Sequence, residues 1–122
     1  MPVLAGGQVS AWALFPLRGP ATVSPLVRRG EEVFQARCQA CHGAEPKVGT
    51  PGYGARMPGT EALAAKYKGS KPALLQQRTD LSADVVTYFV RNGSGIMPFF
   101  RKTELSDADL TALAAYLGRH RR

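Results

Sequence analysis

The sequence predicts an all-α domain of about four to five helices. Apolar residues recur at helical spacings in several segments, and no segment shows the two-residue alternation of a half-buried strand. Capping residues and glycine or proline stops separate these segments. The chain has 122 residues, of which 44% are hydrophobic and 20% are charged, a balance typical of a single soluble globular domain.

Residues 1–24 differ in character from the rest of the chain. A short apolar run that includes Trp12 and Phe15 is followed by small residues, as in an export signal. A secretory signal also starts with positive charge, but residues 1–10 contain no Lys or Arg. We therefore predict that residues 1–24 are either an export-signal remnant or a disordered arm, and that residues 25–122 form the domain.

The first predicted helix begins at Pro25, behind the capping residue Ser24, and reaches about residue 39. Residues 43–59 are so rich in glycine and proline that we expect a long ordered loop there. Further helices are predicted over residues 60–68, 72–78, 82–92 and 106–118. Thr60 is the expected cap of the first of these, and Ser82 and Ser106 each cap a helix that also carries a hydrophobic staple.

Both cysteines of the chain lie in Cys38-Gln39-Ala40-Cys41-His42, the C-x-x-C-H pattern of covalent haem attachment. At the end of a helix, the two thiols would lie on one face and reach the two vinyl groups along one haem edge. The imidazole of His42 would then bind the iron as an axial ligand. The pattern therefore predicts one covalently bound haem c.

Three other uses of the two cysteines are less well supported. A structural zinc site needs four ligands, and the chain offers only these cysteines, His42 and the terminal His120. A thioredoxin-like dithiol starts a helix in a βαβ unit, whereas this pair follows a helix. A disulfide across three residues would constrain almost nothing.

Met97 is the predicted second axial ligand. It lies between a helix stop at Gly93 and the last helix, and Pro98 after it restricts the backbone. Phe99 and Phe100 could exclude water from a haem pocket. Met57 is also followed by proline, but it is closer to His42 in sequence, and we expect it to serve in packing or to lie at the surface.

The formal net charge is +7, and the basic residues are spread along the chain apart from a terminal cluster at residues 119–122. Such a surface suits an acidic protein partner, and Lys66, Lys68 and Lys71 are candidates for its docking face. No nucleic-acid-binding motif is present, so we expect no nucleic-acid partner. No apolar run is long enough to span a membrane, and we expect no stable membrane insertion.

These motifs resemble those of class I c-type cytochromes, from Gly30 to the last helix. The resemblance implies the cytochrome c fold, in which the first and last helices cross where Gly30 and Tyr116 stand. The order of elements is most similar to the cytochrome subunit of p-cresol methylhydroxylase and related flavocytochromes, on the segments Val48-Gly49-Thr50-Pro51 and Val90-Arg91-Asn92-Gly93. Thr50 is an insertion relative to that pattern, and it puts in question whether the backbone near Pro51 binds the His42 Nδ1 proton.

The function implied is single-electron transfer in the periplasm, by a carrier that is not itself an enzyme and has no small-molecule substrate. His42 and Met97 would bind iron throughout, and a redox protein, such as a flavoprotein dehydrogenase, would supply the electrons. Tyr53 and Arg56 are candidates to pair with the haem propionates. The alternatives are a five-coordinate peroxidase or gas sensor, and a permanent subunit of a dehydrogenase complex.

Overall fold

The computed structural model describes residues 23–44 and 57–122. These residues form five α-helices and one 3₁₀ turn and contain no strand, so the all-α prediction is confirmed. The elements are α1 (Pro25–Arg37), α2 (Gln39–His42), α3 (Pro58–Tyr67), the 3₁₀ turn (Leu75–Gln77), α4 (Ala83–Asn92) and α5 (Asp107–Leu117). The segment predicted as an export-signal remnant or arm lies almost entirely outside the described residues.

Serine caps begin three of the helices, as the sequence predicts. The hydroxyl of Ser24 accepts a hydrogen bond from the Val27 amide at 3.2 Å. Ser82 and Ser106 accept equivalent bonds from the amides three residues further on, at 3.2 and 3.1 Å. Each bond satisfies a helix-end amide that has no partner within the helix. The stop predicted after residue 92 is also confirmed, because Gly93 ends α4 with a φ of 71°.

The crossing of α1 and α5 is the main packing contact of the described residues. Gly30 is buried at this crossing, and a Cβ there would overlap the carbonyl oxygen of Ala112 and lie 2.6 Å from Cβ of Tyr116. The Tyr116 ring packs against Phe34 with 5.8 Å between centroids. The contact between Gly30 and Tyr116 that the family resemblance implies is therefore present.

One apolar core lies beneath this crossing. Phe34 and Leu113 are its largest fully buried side chains. The remaining members come from α1, α4, α5 and the segments that precede α4 and α5: Val33, Leu81, Val86, Val90, Leu105, Leu110, Ala114, Tyr116 and Leu117. The apolar face of the last helix is wholly buried, and so are the two staple pairs, Leu81 with Val86 and Leu105 with Leu110.

The start of α3 differs from the sequence prediction. It begins at Pro58, and not behind a Thr60 cap, so the glycine- and proline-rich loop ends two residues earlier than expected. Proline fits the first turn of a helix because its missing N–H would have no partner there. The Thr60 hydroxyl instead donates to the carbonyl oxygen of Gly43 at 2.8 Å.

The helix predicted over residues 72–78 is wrong, since only the 3₁₀ turn Leu75–Gln77 forms there. A segment this short gains too few hydrogen bonds to offset helix nucleation. Helix α1 also ends at Arg37, and not at residue 39, because Cys38 breaks the helix before α2 begins. None of the helices in residues 23–44 and 57–122 has the length and apolarity required to cross a membrane.

Candidate functional site

Cys38 is the N-cap residue of α2, and Cys41 lies within this four-residue helix. The amides of Cys41 and His42 both donate to the Cys38 carbonyl oxygen, at 3.1 and 2.9 Å, so the motif is closed into one compact turn. Both thiols are free. Cys38 is half-buried and packs against the core, and Cys41 is exposed. The sulfur atoms are therefore available for a bond to another group.

Burial, and to a smaller extent the neighbouring Cys41, raise the pKa of the Cys38 thiol to about 11. The attacking thiol of a disulfide oxidoreductase has the opposite property, because its pKa is lowered so that thiolate forms near neutral pH. A protonated thiol remains competent to add its sulfur and hydrogen across a vinyl double bond. The structure therefore weakens the dithiol alternative.

The imidazole of His42 is neutral and partly buried. Burial lowers the pKa of His42, since it disfavours the charged ring. Its Nδ1 is buried and has no hydrogen-bond partner among the described residues. A neutral imidazole is the form that binds iron.

The start of α3 lies directly against the His42 ring. A Cβ on Gly59 would be 2.7 Å from Cε1 and 2.8 Å from Nδ1 of that ring. The bond from Thr60 to the Gly43 carbonyl holds the same two segments together. Gly59 and Thr60 therefore set the position of α3 against the C-x-x-C-H turn, and a side chain at 59 would displace the imidazole.

Met97 lies in a tight turn that we call the Met97 loop (residues 93–99). Two backbone hydrogen bonds join Ser94 and Met97, at 3.1 and 2.9 Å. The turn requires positive φ at Gly93 and Gly95, of 71° and 58°. Gly93 also lacks room for a side chain, because a Cβ would lie 2.5 Å from the Met97 carbonyl oxygen. The Met97 side chain is half-buried.

Large apolar side chains of α4 and the Met97 loop are exposed. Ile96 is 80% exposed and Phe99 is 57% exposed, whereas Phe100 packs against the core. The other exposed members are Val85, Tyr88 and Phe89. Exposed apolar side chains that form a contiguous patch are typical of surfaces that contact an apolar ligand or a partner. Of the two phenylalanines predicted to exclude water from a haem pocket, only Phe99 remains at the surface.

A sequence profile of one family, described as cytochrome c oxidase, cbb3-type, subunit III, matches residues 25–117. This match covers every described helix. The chain belongs to this family of c-type cytochromes. The cytochrome is also 34% identical over 88 residues to cytochrome c6 of Picosynechococcus sp., a match that spans 72% of this chain and 68% of the relative.

Two further relatives are also cytochromes c6. The protein from Tetradesmus obliquus is 33% identical over 88 residues, which span 72% of this chain and 83% of the relative. The protein from Pyropia tenera is 34% identical over the same share of this chain and 85% of its own length. Membership of the c-type cytochromes gives the chain one covalently bound haem c and electron transfer, as a carrier and not as an enzyme.

The residues of the cytochrome fit a covalently bound haem. The two thiols are free, the adjacent imidazole is neutral, and its buried Nδ1 lacks a partner in the described part of the chain. Met57 is the N-cap residue of α3 and makes no capping bond. The predicted propionate partners, Tyr53 and Arg56, lie outside the described residues.

Two of the three lysines predicted as a docking face lie near the ring of Tyr67. The Lys66 and Lys71 ammonium groups lie 5.2 and 5.3 Å from its centroid, and the Arg78 guanidinium carbon lies at 5.0 Å. Lys68 ends α3 with a φ of 49° and is exposed. The side of the cytochrome that carries α3 is therefore strongly basic.

Asp80 neutralises part of this basic cluster. Arg78 is 6% exposed and donates two bonds to the Asp80 carboxylate, at 2.6 and 2.9 Å. Lys71 donates a third at 2.9 Å. These bonds hold the pKa of Asp80 well below its usual range, and the bonding to Arg78 is the largest cause. A depressed carboxyl pKa stabilises the fold above the unfolded-state pKa of about 4, and this contribution is lost as the pH falls further.

We expect Asp80→Asn to lower the free energy of unfolding at pH 7 by about 1 to 2 kcal/mol, because Arg78 is left without its carboxylate. The loss is smaller than for a fully buried pair, since the Asp80 side chain is 40% exposed. Urea unfolding at pH 7 and at pH values below about 4 measures it. The difference from wild type should shrink in acid, and a difference independent of pH would contradict the assignment.

Proposed function

We propose that this cytochrome binds its haem through thioethers at Cys38 and Cys41, with His42 and Met97 as axial ligands. The observation that carries the proposal is the C-x-x-C-H turn between α1 and α3, where two free thiols precede a neutral, partly buried imidazole. Met97 is the proposed second axial ligand because it lies in a well-defined turn. Two glycines with positive φ and a backbone bridge between Ser94 and Met97 define this turn. The bound haem supplies an iron that gains and loses one electron.

His42 and Met97 would hold the iron of the bound haem from both axial positions. The start of α3 holds the His42 ring in place through Gly59. The Met97 loop presents a thioether, and histidine with methionine ligation raises the reduction potential of haem iron. With both positions filled, no site remains for a substrate or for oxygen. This arrangement favours a carrier over the five-coordinate peroxidase or gas sensor.

We infer that the redox partners are acidic proteins that dock on the basic side of the cytochrome. The net charge of +7 and the lysines near Tyr67 support this inference. The narrower resemblance to flavocytochrome subunits rests on sequence segments alone, and it suggests a flavoprotein dehydrogenase as donor, in the periplasm where bacterial haem attachment takes place. Isolation of the native protein by size exclusion, with assay for bound flavin, separates a free carrier from a permanent subunit.

The decisive test of the ligand set is Met97→Ala in the haem-loaded cytochrome. Wild-type ferric protein should be low-spin and show the thioether-to-iron charge-transfer band. The variant should keep its covalent haem, lose this band completely and become high-spin or bind water. An optical spectrum of each ferric protein measures both properties.

Met57→Ala is the matched control, since Met57 is also followed by proline and is also half-buried. This variant should keep the wild-type spectrum. A band that survives in Met97→Ala, or that disappears in Met57→Ala, would refute the ligand assignment. A high-spin wild-type spectrum would instead favour the five-coordinate alternative.

A further inference from the structure

Arg91 joins three segments around the Met97 loop. It lies in the last turn of α4 with 19% of its side chain exposed. Its Nη1 donates to the carbonyl oxygens of Phe100 and Leu105, at 3.1 and 2.8 Å. Its Nη2 donates to the Asp107 carboxylate at 2.8 Å. One guanidinium therefore connects the end of α4, the segment that follows the loop, and the start of α5.

The base of the Met97 loop is closed at Phe100. The Phe100 amide donates to the Val90 carbonyl oxygen at 2.7 Å, and its own carbonyl accepts from Arg91. The chain therefore leaves α4 at residue 93, and after residue 99 it returns to the last turn of the same helix. Both bonds that close the loop are made by the same residue.

The interior of the loop contributes little to its position. Ile96 and Phe99 are largely exposed, and a Cβ at Gly95 would meet no atom within 4 Å. Two backbone hydrogen bonds fix the shape of the turn but do not attach it to the core. The location of the Met97 thioether therefore depends on the bonds at the loop base.

We propose that Arg91 is the positioning residue for Met97. It holds the carbonyls of Phe100 and Leu105 and so keeps the loop in the place from which the thioether reaches iron. This inference rests on the proposed histidine and methionine ligation. Arginine suits the role because its planar fork carries several fixed donors, whereas lysine donates from a single point. The carbonyl bonds should matter more than the ion pair, since the Asp107 side chain is 67% exposed.

The test measures how readily added imidazole displaces Met97 from ferric iron in the intact haem-loaded cytochrome. Loss of the thioether-to-iron band reports the displacement, and thermal unfolding is recorded in parallel. Loss of a hydrogen bond to a charged group corresponds to about tenfold or more in an equilibrium constant. We therefore expect Arg91→Gln to lower the apparent imidazole Kd about tenfold or more, and Arg91→Lys to lower it by less.

Two control variants distinguish positioning from general stability. Asp107→Asn keeps both carbonyl bonds and should change the imidazole Kd by less than about twofold. Arg29→Gln removes an arginine–aspartate pair between α1 and α5, bonded at 3.0 and 3.1 Å, away from the loop. It should lower the unfolding temperature without a comparable change in imidazole Kd.

An unchanged imidazole Kd in Arg91→Gln would overturn the proposal, and so would an equal change in Arg29→Gln. If Arg91→Gln does not yield folded holoprotein, Arg91→Lys carries the test by the same criterion. Absence of the thioether band in the wild type would refute the ligand set itself. A normal wild-type band with unaffected Arg91 variants would refute the role of Arg91 alone.

Discussion

Replacement of both cysteines, as Cys38→Ser with Cys41→Ser, should abolish covalent haem attachment. Serine has nearly the same shape as cysteine, but its hydroxyl does not add across a vinyl group under the conditions in which a thiol does. The isolated protein should therefore have the mass of the polypeptide alone, and acidified acetone should remove any remaining colour. Mass spectrometry of protein from cells able to make these linkages measures the result.

The single variants provide the matched controls. Cys38→Ser and Cys41→Ser each retain one thiol and should each retain haem by one thioether, at reduced yield. Of the two, Cys38 is the more buried and packs against the core, so its replacement should also lower stability slightly. A double variant that carries covalent haem would contradict the site.

Gly30→Ala should cause a large loss of stability for the addition of a single methyl group to α1. An alanine Cβ would overlap the Ala112 carbonyl oxygen and contact Tyr116 at 2.6 Å, so α1 and α5 would have to separate. The cost of such overpacking, about 3 kcal/mol, exceeds the gain of about 1 kcal/mol that alanine brings to a helix interior. Urea unfolding followed by circular dichroism measures the net loss, of about 2 kcal/mol or more.

Gln35→Ala is the control for this prediction because Gln35 is exposed on the same helix. It should change the free energy of unfolding by less than about 0.5 kcal/mol. If Gly30→Ala proved as stable as the wild type, the close crossing of α1 and α5 would not be a feature of the protein in solution.

Local signals predicted most of the fold. The serine caps at Ser24, Ser82 and Ser106 act on amides three residues away, so a short stretch of sequence contains the whole interaction. The apolar face of α5 likewise follows from spacing alone. The C-x-x-C-H turn was recognisable because its residues are adjacent in the chain.

The error at Thr60 arose because its side chain binds a partner distant in sequence. Threonine is a residue type favoured at helix N-caps, but the Thr60 hydroxyl donates to the Gly43 carbonyl oxygen. The Asp109 carboxylate likewise accepts a hydrogen bond from Arg29, 80 residues away. No pattern in the sequence specifies such pairings.

The same limitation applies to two residues of the site that sequence reasoning did not identify. Gly59 contacts the His42 ring only because α3 folds back on the C-x-x-C-H turn. Arg91 reaches carbonyls 9 and 14 residues further along the chain. A glycine within the first turn of a helix, where it lowers helix propensity, was the one available sign that something else occupies that space.

The crossing of the first and last described helices has a consequence for how the protein matures. Helix α1 meets its main packing partner only after α5 has been synthesised, because α2, α3 and α4 lie between them in the chain. Until then, Cys38 and Cys41 belong to an incompletely packed polypeptide. The Cys38 thiol, which packs against the core in the folded protein, is therefore more accessible before the crossing forms than after it.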